Sequence, residues 1–184
     1  HFRAGLAEDI VLHAASAGNL MTLEMAEESK DVWHISALLN NLGNIYGSKG
    51  DLAKAIEYQS RNLRIKEKMG DLRGQVIAHL NLGFALFFQG RFDEAHEHYR
   101  AAMSDARATG SKYLSAASQI QMGNVSHQLG DYDEALEWFR KGLEESTEIK
   151  AKDLIITALA GITETHLSMG RTETAMELAR KLED

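Results

Sequence analysis

Glycines at a fixed spacing of forty residues constrain the fold more than any other feature of this chain. The main series is Gly50, Gly90, Gly130 and Gly170. A second series lies seven residues earlier and consists of Gly43, Gly83 and Gly123, with Thr163 in the fourth place. An alanine series follows five residues after the first one, at Ala55, Ala95, Ala135 and Ala175. Self-similarity at a period between 20 and 50 residues indicates a stacked-repeat architecture.

Each forty-residue period predicts two amphipathic helices. Apolar residues recur with helical spacing in both halves, for example at Leu82 and Leu86, and no stretch alternates as a strand would. Five residues are suited to cap the N-termini of these helices: Asp31, Asp51, Asp71, Ser111 and Asp131. Proline is absent, so the breaks between helices are expected at glycines such as Gly70 and Gly110, with Lys150 in the corresponding place. The sequence therefore predicts an all-α solenoid of antiparallel helix pairs, in which Gly43, Gly83 and Gly123 allow the partner helix to approach.

Three segments carry a resemblance to a known family: "LNNLGNIYGSKGDLAKAIEY", "LNLGFALFFQGRFDEAHEHY" and "IQMGNVSHQLGDYDEALEWF". They resemble the tetratricopeptide repeat (TPR), whose signature is a Leu-Gly pair, an aromatic residue, a turn glycine, and an alanine in the second helix. The period of forty, where the family usually has thirty-four, looks like that of Pins-type adaptors and bacterial TPR regulators. The resemblance implies a right-handed superhelix. In the fourth copy Thr163 replaces the packing glycine, so a less close helix contact is expected there.

The repeat spacing predicts four repeats that form one continuous solenoid domain, at residues 31–70, 71–110, 111–150 and 151–184, with the last one truncated. Residues 1–30 are interpreted as a degenerate leading repeat or helix. Within them, Ala15 and Leu23 match the register of Ala55 and Leu63, whereas Gly18-Asn19 is expected to interrupt the helix.

Asparagines are unusually frequent in the first of these helices, although asparagine is a poor residue for a helix interior. The family resemblance places the first helix of each repeat on a concave face that binds peptides. The positions that face this predicted groove are Asn40, Asn41, Asn44 and Ser48 in the first repeat, Asn81, Phe84 and Phe88 in the second, Gln121, Asn124 and Gln128 in the third, and Gly161, Glu164 and Ser168 in the fourth.

Asn41, Asn81 and Gln121 would form a ladder of one amide per repeat, and each amide could pair with a peptide group of a ligand. The alternative interpretation is that these amides bond a neighbouring helix or face water. A carboxylate clamp, which in chaperone-binding members needs Lys and Arg in the groove, is not expected. Ala37, Ile77 and Ala117 stand at those positions.

Composition excludes several other classes. The chain has 184 residues, no cysteine and a net charge of −7, which argues against disulfides, thiolate chemistry and non-specific nucleic-acid binding. No apolar run approaches the length of a membrane span, and no signal peptide begins the sequence, so a cytoplasmic protein is expected. None of the eight histidines has a partner at metal-ligand spacing, so we expect no metal site, no cofactor and no catalytic residue.

The sequence thus favours a non-enzymatic scaffold that binds a peptide or a partner protein in its concave groove. Two alternatives remain open. One is a sensory or regulatory TPR domain of a larger bacterial signalling protein or transcription regulator. The other is an oligomerisation element that forms weak homo-oligomers through its terminal helices.

Overall fold

A computed structural model describes the backbone of residues 2–183 and the side chains of residues 12–177. Within this range every regular element is an α-helix, and we number the helices in chain order. They are α1 (Phe2–Ser29), α2 (Val32–Ser48), α3 (Leu52–Met69), α4 (Leu72–Phe88), α5 (Phe92–Ala108), α6 (Lys112–Leu129), α7 (Tyr132–Glu148), α8 (Lys152–Ser168) and α9 (Thr172–Glu183). The predicted all-α architecture is confirmed.

The turns between the helices repeat every twenty residues. Each contains one residue with positive φ, and these residues are Lys30, Gly50, Gly70, Gly90, Gly110, Gly130, Lys150 and Gly170. The residue after each of them donates its backbone N–H to the carbonyl five positions earlier, as Asp51 does to Tyr46 at 2.9 Å. This is the left-handed helix cap that glycine favours. Lys30 and Lys150 adopt it at a cost of about 1–2 kcal/mol relative to glycine, and Lys30 was not predicted to do so.

Four of the five predicted N-caps are confirmed by hydrogen bonds. Asp31, Asp51 and Asp71 each accept the backbone N–H three residues on, and so does Ser111. Asp131 is the N-cap residue of α7 as predicted, although its side chain makes no capping hydrogen bond. Two further acidic residues occupy the first turn of α7, where their charge already interacts with the positive end of the helix.

The expectation that Gly18-Asn19 interrupts the leading helix is also wrong, because α1 runs through both residues without a break. The Asn19 amide donates to the carbonyl of Ala15 at 2.8 Å, and the Thr22 hydroxyl donates to that of Gly18 at 2.8 Å. These side chains therefore bond back to the preceding turn instead of ending the helix.

The chain forms two compact units, residues 1–91 and residues 92–184. In the first unit, consecutive helices pack against each other and α2 also contacts α4. The core of this unit includes Leu39 and Leu42 of α2, and Leu63 of α3 with Leu82 of α4. In the second unit the consecutive helices likewise pack together, α6 also contacts α8, and Phe139 lies in the core with residues of α6, α7 and α8.

Small residues allow close packing in both units. A Cβ added to Gly43 would lie 2.5 Å from the Gln59 amide, and one added to Gly123 would lie 2.8 Å from the Phe139 ring. The fourth copy departs from the prediction, because Gly161 is buried rather than facing a groove. A Cβ there would lie 2.4 Å from the same Phe139 ring. The last contact is therefore close despite Thr163, since a glycine two residues earlier provides the space.

Candidate binding groove

In the first unit, α2 and α4 form the two sides of a groove, and α3 forms its floor. Two pockets lie along it. We call the first, of about 380 Å³, the phenylalanine pocket, and its lining includes Gly43, Asn44, Gly47, Gln59, Asn81 and Phe84. We call the second, of about 320 Å³, the tryptophan pocket, and its lining includes Trp33, Ala37, Asn62, Lys66, Arg73 and Ile77.

A network of amides connects the sides of the groove to its floor. The Gln59 amide of α3 donates to the Asn44 side-chain oxygen at 3.0 Å and to the Asn40 carbonyl at 3.2 Å. The Asn81 amide of α4 donates to the Asn40 side-chain oxygen at 3.1 Å. Asn40 borders the tryptophan pocket and Asn81 borders the phenylalanine pocket, so this bond joins α2 to α4 between the two pockets.

The network is incomplete at Gln59. This residue is only 1% exposed, and its Oε1 accepts no hydrogen bond within the described part of the chain. A buried acceptor without a donor usually costs about 1–3 kcal/mol of stability. Gln59 lines the phenylalanine pocket, but this oxygen is itself buried, so a ligand reaches it only if the Gln59 side chain moves.

Aromatic and aliphatic side chains form the walls of the groove and remain open to solvent. Phe84 and Phe88 are 49% and 59% exposed, and their ring centroids lie 4.6 Å apart. Phe87, between them on the same helix, is half-buried. In the tryptophan pocket, Trp33 is 67% exposed and Ile77 is 40% exposed. Neighbouring exposed apolar residues of this kind are typical of interaction surfaces.

The tryptophan pocket also contains charge. The Lys66 ammonium lies 2.8 Å from the Asp71 carboxylate and 5.6 Å from the centre of the Trp33 ring. The hydrogen bond from Lys66, together with that from the backbone N–H of Gly74, lowers the pKa of Asp71 below its usual range. Arg73 is exposed and forms no ion pair among the described residues.

Sequence reasoning missed the contribution of Trp33, Lys66 and Arg73 to this groove. It considered only positions in the middle and at the end of the first helices, whereas Lys66 comes from the end of α3, and Trp33 and Arg73 come from the first turns of α2 and α4. A usable signal was present, because the short turn at Gly70 brings the last turn of one helix beside the first turn of the next.

The predicted site residues divide between the two units. In the first, Asn40, Asn44 and Asn81 are engaged in the amide network, whereas Asn41 is exposed and forms no side-chain hydrogen bond to any described residue. In the second unit, all three predicted residues lie on α6. The Asn124 amide donates to Gln121 at 3.0 Å, and Gln128 is exposed. Their roles in binding stay predictions.

Two kinds of feature are absent from the described residues. No group of three or more His, Asp or Glu side chains there could hold a metal ion. None of the helices in that part of the chain is long and apolar enough to cross a membrane.

Comparison with known proteins identifies the family. The tetratricopeptide repeat model matches residues 34–108 and 114–184, so the chain belongs to the tetratricopeptide repeat family. Among curated relatives, human G-protein-signaling modulator 1 is 37% identical over 67 residues, which are 36% of this chain and 10% of that protein.

Solved structures share the fold. A signal transduction ATPase with a tetratricopeptide repeat sensor from Pyrococcus horikoshii superimposes with a TM-score of 0.82 at 21% identity, over 95% of this chain and 27% of that one. A Rap protein complexed with competence and sporulation factor superimposes with a TM-score of 0.73 at 19% identity, over 92% of this chain and 51% of that one. The chain therefore spans about half or less of each of these three proteins.

Proposed function

We propose that this chain is a non-enzymatic interaction module that binds an extended segment of a partner protein in the groove between α2 and α4. Membership of the tetratricopeptide repeat family is consistent with a protein-interaction scaffold. The observation that carries the proposal is the phenylalanine pocket, where the half-exposed ring of Phe84 stands beside the side-chain amides of Asn44 and Asn81. Such a site suits a peptide, which offers an apolar side chain and polar backbone groups together.

The amide network refines this proposal. Asn40, Asn44 and Asn81 already form hydrogen bonds with other groups of the protein. These bonds stabilise the shape of the groove, and a ligand would have to compete with them. Asn41 is the amide of the predicted ladder that is open to a ligand in this unit. Apolar contact with Phe84 would then supply most of the affinity.

A sensory or regulatory role is the second candidate, and the sensor repeats of the Pyrococcus horikoshii ATPase favour it. In that case the groove would bind an effector that controls further domains. Both candidates require occupation of the groove.

The test is to select peptides on the wild-type protein from a random display library and to measure their affinities by calorimetry. Phe84→Ala should weaken binding by about 1–2 kcal/mol, or roughly five- to thirtyfold, because it removes a pocket wall. Leu129→Ala is the matched control, since Leu129 is 50% exposed and lies on α6 in the second unit. Peptides whose affinity is equal in wild type and Phe84→Ala would refute the proposal.

A further inference from the structure

The two pockets of the groove differ in chemistry. The phenylalanine pocket is lined by Phe84, by amides and by small residues, and none of its lining side chains carries a charge. The tryptophan pocket is lined by two cations, Lys66 and Arg73, and one anion, Asp71. Since Lys66 and Asp71 neutralise each other at 2.8 Å, the charge of Arg73 is left over. This local positive charge stands out in a chain whose net charge is −7.

We infer that the groove is specific for an extended segment that places an apolar side chain in the phenylalanine pocket and a carboxylate in the tryptophan pocket. This inference rests on the proposed function and adds the chemistry of the ligand. Arg73 supplies the complementary charge, while Trp33 and Ile77 contact the aliphatic part of an acidic side chain.

The distance between the two pockets determines how many residues separate the apolar side chain from the carboxylate in the ligand. On α2 the pocket linings are centred about nine residues apart, around positions 37 and 46. Because a helix rises about 1.5 Å per residue, the centres of the two pockets lie about 13 Å apart. The linings on α4 are separated by about the same number of residues. An extended chain advances about 3.3 Å per residue, which makes this distance about four residues.

Extended geometry is consistent with this spacing in a second way. Side chains at positions i and i+4 of an extended chain point to the same side, so both can enter the groove together. The backbone between them crosses the Asn40–Asn81 hydrogen bond, which separates the pockets. A helical ligand would need about nine residues to span the same distance.

The experiment uses acetylated and amidated peptides with one leucine and one glutamate in a Ser/Thr background. Their separation is two, four or six residues, in both orders, and binding is measured by fluorescence anisotropy. We expect the tightest binding at a separation of four. Replacing the glutamate of this peptide by glutamine should weaken binding about three- to tenfold, because a partly exposed charge contact is lost.

Two protein variants locate the carboxylate. Arg73→Glu should abolish the preference for glutamate over glutamine, and Arg73→Gln, which adds no negative charge beside Asp71, should reduce it. Arg64→Glu is the control, since Arg64 is exposed on α3 and lines neither pocket. Glutamine peptides that end in a free carboxylate at the same distance distinguish a chain terminus from an acidic side chain, and binding of either supports the inference.

The remaining outcomes separate the two proposals. Binding that depends on Phe84 but not on the glutamate, its spacing or Arg73 would overturn this inference and leave the proposed function intact. If every peptide binds Phe84→Ala as tightly as it binds the wild type, the proposed function itself is overturned.

Discussion

Equivalent positions of the repeat hold an amide in the first unit and an aromatic ring in the second. This difference explains why the groove forms in the first unit. Gln59 of α3 and Phe139 of α7 lie eighty residues apart, which is two periods, and each packs on a glycine of the preceding helix, Gly43 or Gly123. Phe139 also fills the space beside Gly161 of α8. The position equivalent to Gly161 in the first unit is Asn81, which lines the phenylalanine pocket with Gln59.

The comparison shows that two repeats with the same backbone arrangement can present different surfaces. A ring between two glycines closes the gap between helices, whereas an amide beside an asparagine leaves a pocket and provides hydrogen-bonding groups. The four predictions below test this contrast, beginning with the largest expected effect.

Phe139→Ala should lower the free energy of unfolding by about 3–5 kcal/mol, because a buried ring is removed and a cavity remains. Chemical denaturation monitored by circular dichroism measures this change. Gln59→Ala is the comparison at the equivalent position, and we expect a smaller loss, since the amide already has an unsatisfied oxygen. Equal losses for the two variants would contradict the contrast between the units.

Gly123→Ala should destabilise the protein by about 1–3 kcal/mol, because the new methyl group meets a ring held from the other side by Gly161. Gly43→Ala should cost less, because its methyl group meets the flexible end of Gln59, which can move toward the adjacent pocket. Melting temperatures of the two variants give the order. A larger loss for Gly43→Ala would show that the amide network is as rigid as the aromatic contact.

Asn40→Ala should destabilise the protein by about 1 kcal/mol, since it removes the acceptor of the hydrogen bond from Asn81. The neighbouring Asn41→Ala should change stability by less than about 0.5 kcal/mol, because Asn41 is exposed. Denaturation of this matched pair shows which amides stabilise the fold. If Asn41→Ala destabilises the protein more than Asn40→Ala does, the described network is not the stabilising one.

His166 in the second unit should make stability depend on pH. Its side chain is buried, its Nδ1 has no partner among the described residues, and its pKa is lowered by burial and by the charges of Arg171 and Arg140. The unfolded chain therefore binds a proton at a higher pH than the folded one, and stability decreases as the pH falls below about 6.5.

Unfolding measured between pH 7.5 and 5.5 should show this decrease in wild type and a smaller one in His166→Gln. His13→Gln is the control, because His13 is exposed on α1 and its side chain bonds no other described residue. A pH dependence unchanged by His166→Gln would assign the effect to other groups.

The helices and their ends were accessible from the sequence because local chemistry specifies them. Glycines with positive φ at Gly50 and Gly70, and caps such as Asp31 and Asp71, act within a few residues of the chain. Lys30 was missed because its left-handed conformation has no compositional signal, although it lies one period before Gly70. Of the predicted groove residues, Asn40, Asn44, Asn81 and Phe84 line a pocket, and their binding of a ligand stays a prediction.

What the sequence by itself determined is the repeat, because periodic glycines and apolar stripes define the length of each helix and the direction of each turn. Only the tertiary structure decided which side chains complete the groove. Lys66 and Arg73 line the tryptophan pocket from different helices. Gln59 forms hydrogen bonds with Asn40 and Asn44, although the chain contains many other amides. Such choices depend on distances between helices, which residue type and spacing along one chain do not specify. Gly161 shows the same limit, since its role follows from the ring that packs against it.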